Sequence, residues 1–180
     1  MASKVNVFIR GKILWAKILG DPVFNYNKDA KEWTFEVEPD EDSIQKIIKN
    51  GLTDRIKGRG YNIGTKGQHK DREPFLQLRK KELMADGTPN SPLRVYDDND
   101  KDWDRDVAIG NGTVADVKLD VRDYGVGKKK GMYPAAIRVR DLVPYESSEF
   151  GGMADDFEPA EKPKKTKKNS DFGLDDELPF

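Results

Sequence analysis

The most informative chemistry in this sequence is a set of aromatic residues standing beside cations. On the outward sides of strand-like stretches, Phe8 lies with Arg10 and Lys12, Phe75 with Arg79, and Tyr124 with Arg122. Two loop-like stretches add Tyr61 among Arg55, Lys57, Arg59 and Lys66, with Lys70 beyond, and Tyr133 after Lys128, Lys129 and Lys130. Arg138 and Arg140, outward on the final strand, extend the cationic set. Cations that track phosphates beside rings that stack on bases make a surface for single-stranded nucleic acid, each stacked base being worth about 1–3 kcal/mol. Stacking accepts every base, so such a surface need not read sequence.

Catalytic and metal chemistry find little support. His69 is the only histidine and sits in a polar loop, where a solvated side chain is expected, and there is no cysteine to act as a nucleophile or thiolate ligand. Asp98, Asp100 and Asp102 alternate like the start of a calcium loop, but Trp103 stands where the sharp-turn glycine belongs and no closing Glu follows. Gly58, Gly60 and Gly64 miss the dinucleotide-binding spacing, and the only helix precedes them. The expectation is a binding protein with no cofactor and no metal.

The elements that must position these residues follow from periodicity. Val5, Val7, Ile9, Ile13 and Trp15 alternate with Asn6, Phe8, Arg10 and Lys12, which predicts a long half-buried strand with a bulge or bend at Gly11. Trp33, Phe35 and Val37 mark a second inward face, closed by Pro39. Asp40-Glu41-Asp42-Ser43 caps a short helix with Ile44, Ile47 and Ile48 on one side and Gly51 as its stop. Residues 53–73 read as a flexible basic loop. Further strands are expected at 74–80 (Leu76 and Leu78 inward, Phe75, Gln77 and Arg79 outward), 93–96, 113–124 and 133–145. Ala115, Val117, Leu119, Val121, Ile137 and Val139 face inward in the last two. Trp15, Trp33 and Phe35 are assigned to the core. Five or six strands with one short helix and long polar loops predict an all-β barrel.

Composition then divides the chain. Its 180 residues suit one domain plus an appendage, expected at 1–146 and 147–180. The formal net charge of −1 splits into a weakly basic body and an acidic end. A near-neutral body argues against duplex binding, which needs a larger positive field. The run 162–168 is basic and expected to be disordered. The tip, Asp171 and then Asp175-Asp176-Glu177-Leu178-Pro179-Phe180, combines carboxylates with an apolar, aromatic finish that a second surface could capture. No apolar run approaches a membrane span, and no apolar signal core follows Met1, so a soluble cytoplasmic protein is expected.

The tip closely resembles the acidic C-terminal tip of bacterial single-stranded DNA-binding proteins. The body is similar instead to the single-stranded DNA-binding proteins of tailed bacteriophages of the gene 2.5 type. The similarity rests on Gly11-Lys12-Ile13 in a long first strand, Val95-Tyr96-Asp97 before an acidic loop, Gly110-Asn111-Gly112 opening a strand, and Ala136-Ile137-Arg138-Val139-Arg140 in the last. This resemblance implies an oligonucleotide/oligosaccharide-binding (OB) barrel that coats single strands in the bacterial host cytoplasm during phage replication, recombination and repair. It also implies a tail that recruits replication proteins, such as polymerase or helicase-primase, or host proteins, and that weakens DNA binding. The basic run 162–168 has no counterpart in the family pattern. The stretch 150–157 echoes 172–176, as a duplicated tip would. Residues 147–180 as a flexible coil would span about 30 Å, far enough for the tip to reach back over a domain with a radius of gyration near 15 Å. A protein-protein adaptor, a strand-annealing barrel and an RNA-binding barrel remain open alternatives, as does a homodimer.

Overall fold

The computed structural model describes residues 2–145; the tail readings, including the 162–168 run and the 171–180 tip, lie outside the described residues. Alternation produces most of the architecture. Strand β1 (Ser3–Lys17) buries Val7, Ile9 and Ile13, and β3 (Lys31–Pro39) buries Trp33, Phe35 and Val37. Between them lies the two-residue β2 (Val23–Phe24). After helix α1 (Glu41–Lys49) come β4 (Leu76–Lys81), β5 (Arg94–Tyr96), β6 (Thr113–Asp123) and β7 (Gly131–Asp141). The inward residues expected on β6 and β7 are all buried.

Hydrogen-bonded neighbours run β2-β3-β1-β6-β7-β5, with β4 on β3. Both β2 and β4 pair with Glu32, so β2 must continue the β1 edge of β3 while β4 takes the other edge. The sheet curls until β4 approaches β7. Those two strands share no ladder among the described residues, and β5, paired in parallel with only Ala136–Arg138, leaves the start of β7 open on that edge. The result is a strongly curled all-β half-barrel with one helix and an unzipped seam between β4 and β7. Leu76, Leu78, Leu93, Val95, Val117, Leu119 and Ile137 fill its interior.

The helix forms where capping chemistry places it. The Asp40 carboxylate accepts the Ser43 N–H at 2.8 Å, and Ile44 and Ile47 are buried against the barrel. Gly51 follows the helix with φ +77°, the left-handed conformation that ends helices with least strain. Ser43 also accepts the Arg10 backbone N–H at 2.8 Å, tying the helix to β1.

Three local expectations are corrected. Gly11 is not at the bulge: it is buried in register with Pro39 and Ala115, where any Cβ would collide with the Glu38 carbonyl. The glycine therefore serves close strand approach. The β1–β3 register instead slips between Leu14 and Lys17, and Trp15 takes φ +52° there. This extra residue shifts the alternation by one. Ala16 packs against the core and Ile18 is buried, while Trp15, expected in the core, is 62% exposed. Val5, near the start of β1 where only β6 pairs with it, is likewise exposed.

Candidate nucleic-acid interface

The loop 53–73 is more structured than its composition predicts. A short 3-10 turn at Thr53–Arg55 follows the helix, and Leu52 and Ile56 are fully buried. Lys57 and Phe75 exchange both backbone hydrogen bonds, at 2.9 and 2.8 Å, so the loop pairs directly with the chain entering β4. Folding back in this way covers the ring of Phe75, which is only 1% exposed. The Arg72 guanidinium lies 3.6 Å from its centroid and His69 meets it edge-on at 5.2 Å. Phe75 is thus a buried anchor for the loop, not the outward stacking ring expected from strand alternation. His69 is correspondingly half-buried against it rather than solvated. Tyr61 also packs partly against the core.

Four of the expected cations meet at the seam. Arg55, Lys57, Arg79 and Lys129 line a pocket of about 160 Å³ together with Asp54, Gln77 and Met132. Three separate segments deliver them: the 53–57 turn, the outward face of β4, and the 125–131 loop before β7. One carboxylate against four cations leaves a local positive excess. Arg55 is braced by donating to the Lys130 carbonyl at 2.6 Å, and Lys57 donates to the Gln77 carboxamide oxygen at 2.9 Å. Arg79 lies 3.8 Å from Glu32, and Lys129 lies 4.0 Å from Asp54. Both contacts are long, and the Arg79 and Lys129 side chains are themselves 59% and 83% exposed, which leaves the cationic heads able to take phosphate oxygens.

An aromatic pair stands near this pocket. The Tyr124 and Tyr133 hydroxyls are 3.1 Å apart, and Arg122 lies 5.3 Å from the Tyr133 centroid. Both rings are roughly two-fifths exposed. The hydrogen bond with Tyr124, then burial, pushes the Tyr133 phenol up from its ordinary value against the nearby Arg122 and Arg55 charges. Lys130 turns inward, donating to the Asn50 carbonyl at 3.0 Å and lying 3.6 Å from Asp123. It braces the loop rather than facing outward beside Lys128 and Lys129.

The other expected cations go elsewhere. Arg10, Arg138 and Arg140 converge on the single carboxylate of Asp116, at 2.6, 3.1 and 2.8 Å. Arg138 also holds Asp100 at 2.9 Å and Arg140 holds Asp98 at 2.5 Å, so the acidic loop is pinned to the barrel wall. Burial pushes the Asp116 carboxyl up, but hydrogen bonds from Arg10 and Arg138, the Arg10 charge and a hydrogen bond from Arg140 outweigh it and hold the group below its ordinary value. These arginines form a charge network around Asp116 on the outer face, with their own side chains one-third to one-half exposed. Arg59 pairs with Glu73, and Arg72 with Glu36 at 2.8 Å. Lys12, Lys66, Lys70 and Lys128 make no ion pair among the described residues and lie outside the seam pocket.

The sequence gives no sign of the brace formed by Arg55 and Lys130 or of the exposed position of Trp15. Nothing in the alternation of β1 signals the bulge that exposes the tryptophan.

No protein-family model matches the sequence, and no curated protein matches it. Solved structures do. Gp2.5, a single-stranded DNA-binding protein encoded by bacteriophage T7, superposes with a TM-score of 0.52 over 100% of both chains at 11% identity. The chain shares its fold. The single-stranded DNA-binding protein from bacteriophage Enc34, solved in complex with ssDNA, gives a TM-score of 0.50 at 12% identity, covering 79% of this chain and 89% of that one. The chain shares the fold of both, and its curled all-β half-barrel with one helix agrees with the expected OB-type barrel.

Proposed function

We propose that this protein binds single-stranded DNA without reading its sequence, as a binding protein rather than an enzyme, with the β4–β7 seam as its phosphate-tracking site. The observation that carries the reading is the convergence of Arg55, Lys57, Arg79 and Lys129 on one pocket, with Tyr124 and Tyr133 nearby. A structural charge network pairs its cations closely, as around Asp116; the seam cations lack such pairing. Supporting this, two proteins of the same fold are named for single-stranded DNA binding. The reading extends to phage replication, recombination and repair in the host cytoplasm. Asp171, Asp175, Asp176, Glu177, Leu178, Pro179 and Phe180 would recruit replication proteins, and the carboxylates among them would compete with DNA for the cations. Titration of the full chain, and of a chain truncated after Ser170, with labelled oligo-dT, oligo-rU and duplex DNA tests both parts. The expected order is oligo-dT tightest, and the truncated chain tighter than the full one at low salt. Equal affinity for duplex and single strand would refute the main reading, and unchanged affinity on truncation would refute the competition.

A further inference from the structure

The bulge in β1 presents a residue whose conformation and exposure are both anomalous. At φ +52° glycine or asparagine fits with least strain, and a bulky side chain there is a genuine outlier. The bulge itself has a structural purpose, since it lets Ala16 and Ile18 turn to the core. That purpose is served by any residue at position 15, and best by glycine. Instead the chain places its largest side chain there and leaves it 62% exposed. The other two tryptophans spend their indole N–H groups on backbone carbonyls, Trp33 on Gly20 and Trp103 on Val107, both at 2.9 Å. Among the described residues no acceptor meets the Trp15 indole; only its backbone N–H is held, by the Asn111 side-chain oxygen at 2.8 Å. Strained conformations of this kind persist where the surroundings over-determine them, and they cluster at functional positions. Here Asn111, with the Gly112 N–H bonded to the Ile13 carbonyl at 2.9 Å, fixes the strained turn from the β6 side.

Register places the bulge that carries this ring two strands from the seam cation Arg79. Lys17 is opposite Thr34, and Thr34 is opposite Arg79; one row along, Leu14 faces Glu36, which faces Gln77. Arg79 and Gln77 both line the seam pocket. Two strand spacings, about 10 Å, therefore separate β1 from the pocket wall. Trp15 and the exposed Lys17 flank inward-turned Ala16, so they share the outer face.

We propose that Trp15 is a base-stacking platform, and Lys17 its adjoining phosphate contact, at the β1 end of a single-strand path that crosses β3 and β4 to the seam. This inference rests on the single-strand reading above and adds a residue that alternation assigns to the core. Stacking on an exposed indole is worth enough per base to change affinity about 5- to 150-fold.

The test uses the full chain carrying Trp15→Gly or Trp15→Phe, measured by fluorescence anisotropy with labelled oligo-dT and by thermal unfolding. Trp15→Gly is expected to hold or raise the unfolding midpoint, because the left-handed strain is relieved, while weakening oligo-dT binding about 5- to 150-fold. Trp15→Phe is expected to keep most of the affinity but lose most of the DNA-induced quenching of intrinsic fluorescence, since Trp33 is buried and Trp103 half-buried. A merely structural tryptophan would give the reverse: a lower midpoint in both variants with affinity unchanged. Wild-type binding to oligo-dT with Trp15→Gly unaffected would overturn this inference alone. Failure of the wild type to bind oligo-dT would overturn the parent reading and this one together.

Discussion

Neutralising two seam lysines, Lys57→Gln with Lys129→Gln, isolates the electrostatic part of the proposed site. Both cations line the seam pocket, and neither is needed for folding: Lys57 holds only the Gln77 side chain, and the Lys129 side chain is 83% exposed and 4.0 Å from Asp54. Arg79 is left in place because its partner Glu32 is only 8% exposed and would be stranded without it. Each phosphate neutralised on a single strand contributes about −0.7 to the slope of log affinity against log salt, so losing two contacts flattens the slope by about 1.4. Between 50 and 200 mM salt the advantage of the wild type should then shrink about sevenfold. Anisotropy titrations with oligo-dT across that range measure the slope directly, with a thermal melt of each protein as control. Parallel slopes for variant and wild type, with both proteins folded, would refute the placement of phosphates at the seam.

Two further outcomes concern the scaffold. Phe75→Ala removes a ring that is 1% exposed beneath Arg72 and His69, and should cost about 3–5 kcal/mol in urea unfolding; a cost below about 1 kcal/mol would show that the ring is not buried. The Asp116 network should weaken in acid. Because the folded carboxyl is held below its ordinary value, its stabilisation is present above the unfolded value, about pH 3.9, and is lost as pH falls through the folded value. Asp116→Asn should therefore lower stability at pH 7, by about 1–2 kcal/mol given the exposure of its arginines, and should reduce the acid sensitivity of the midpoint. An unchanged acid profile in that variant would show that the network contributes nothing to folding.

Much of this architecture was legible in alternation. Val7, Ile9, Phe35, Val37, Val117, Leu119, Ile137 and Val139 face inward as period two demands, and Asp40 with Ser43 and Gly51 brackets the helix by ordinary capping chemistry. What was not legible depends on chain segments meeting. Trp15 turns outward because one bulged residue reverses the alternation after Ile13, and no local residue type announces it. Phe75 is buried because the 57–72 loop pairs back onto it, a contact fixed by tertiary structure rather than by strand parity. Arg138 and Arg140 do point outward, as expected, yet they meet Asp116 and the acidic loop rather than an open surface. The register itself places Asp116 between Arg10 and Arg138, so strand pairing, had it been known, would have found this network. The seam is the least legible feature, because β4 and β7 approach without a hydrogen-bonded ladder.

The most direct test of the central claim is a side-by-side titration of the full chain with oligo-dT and with duplex DNA of equal length at 100 mM salt. The single-strand reading predicts clearly tighter binding to oligo-dT, weakened by Lys57→Gln with Lys129→Gln. Equal affinity for the two DNAs, or oligo-dT binding indifferent to the two seam lysines, would contradict it.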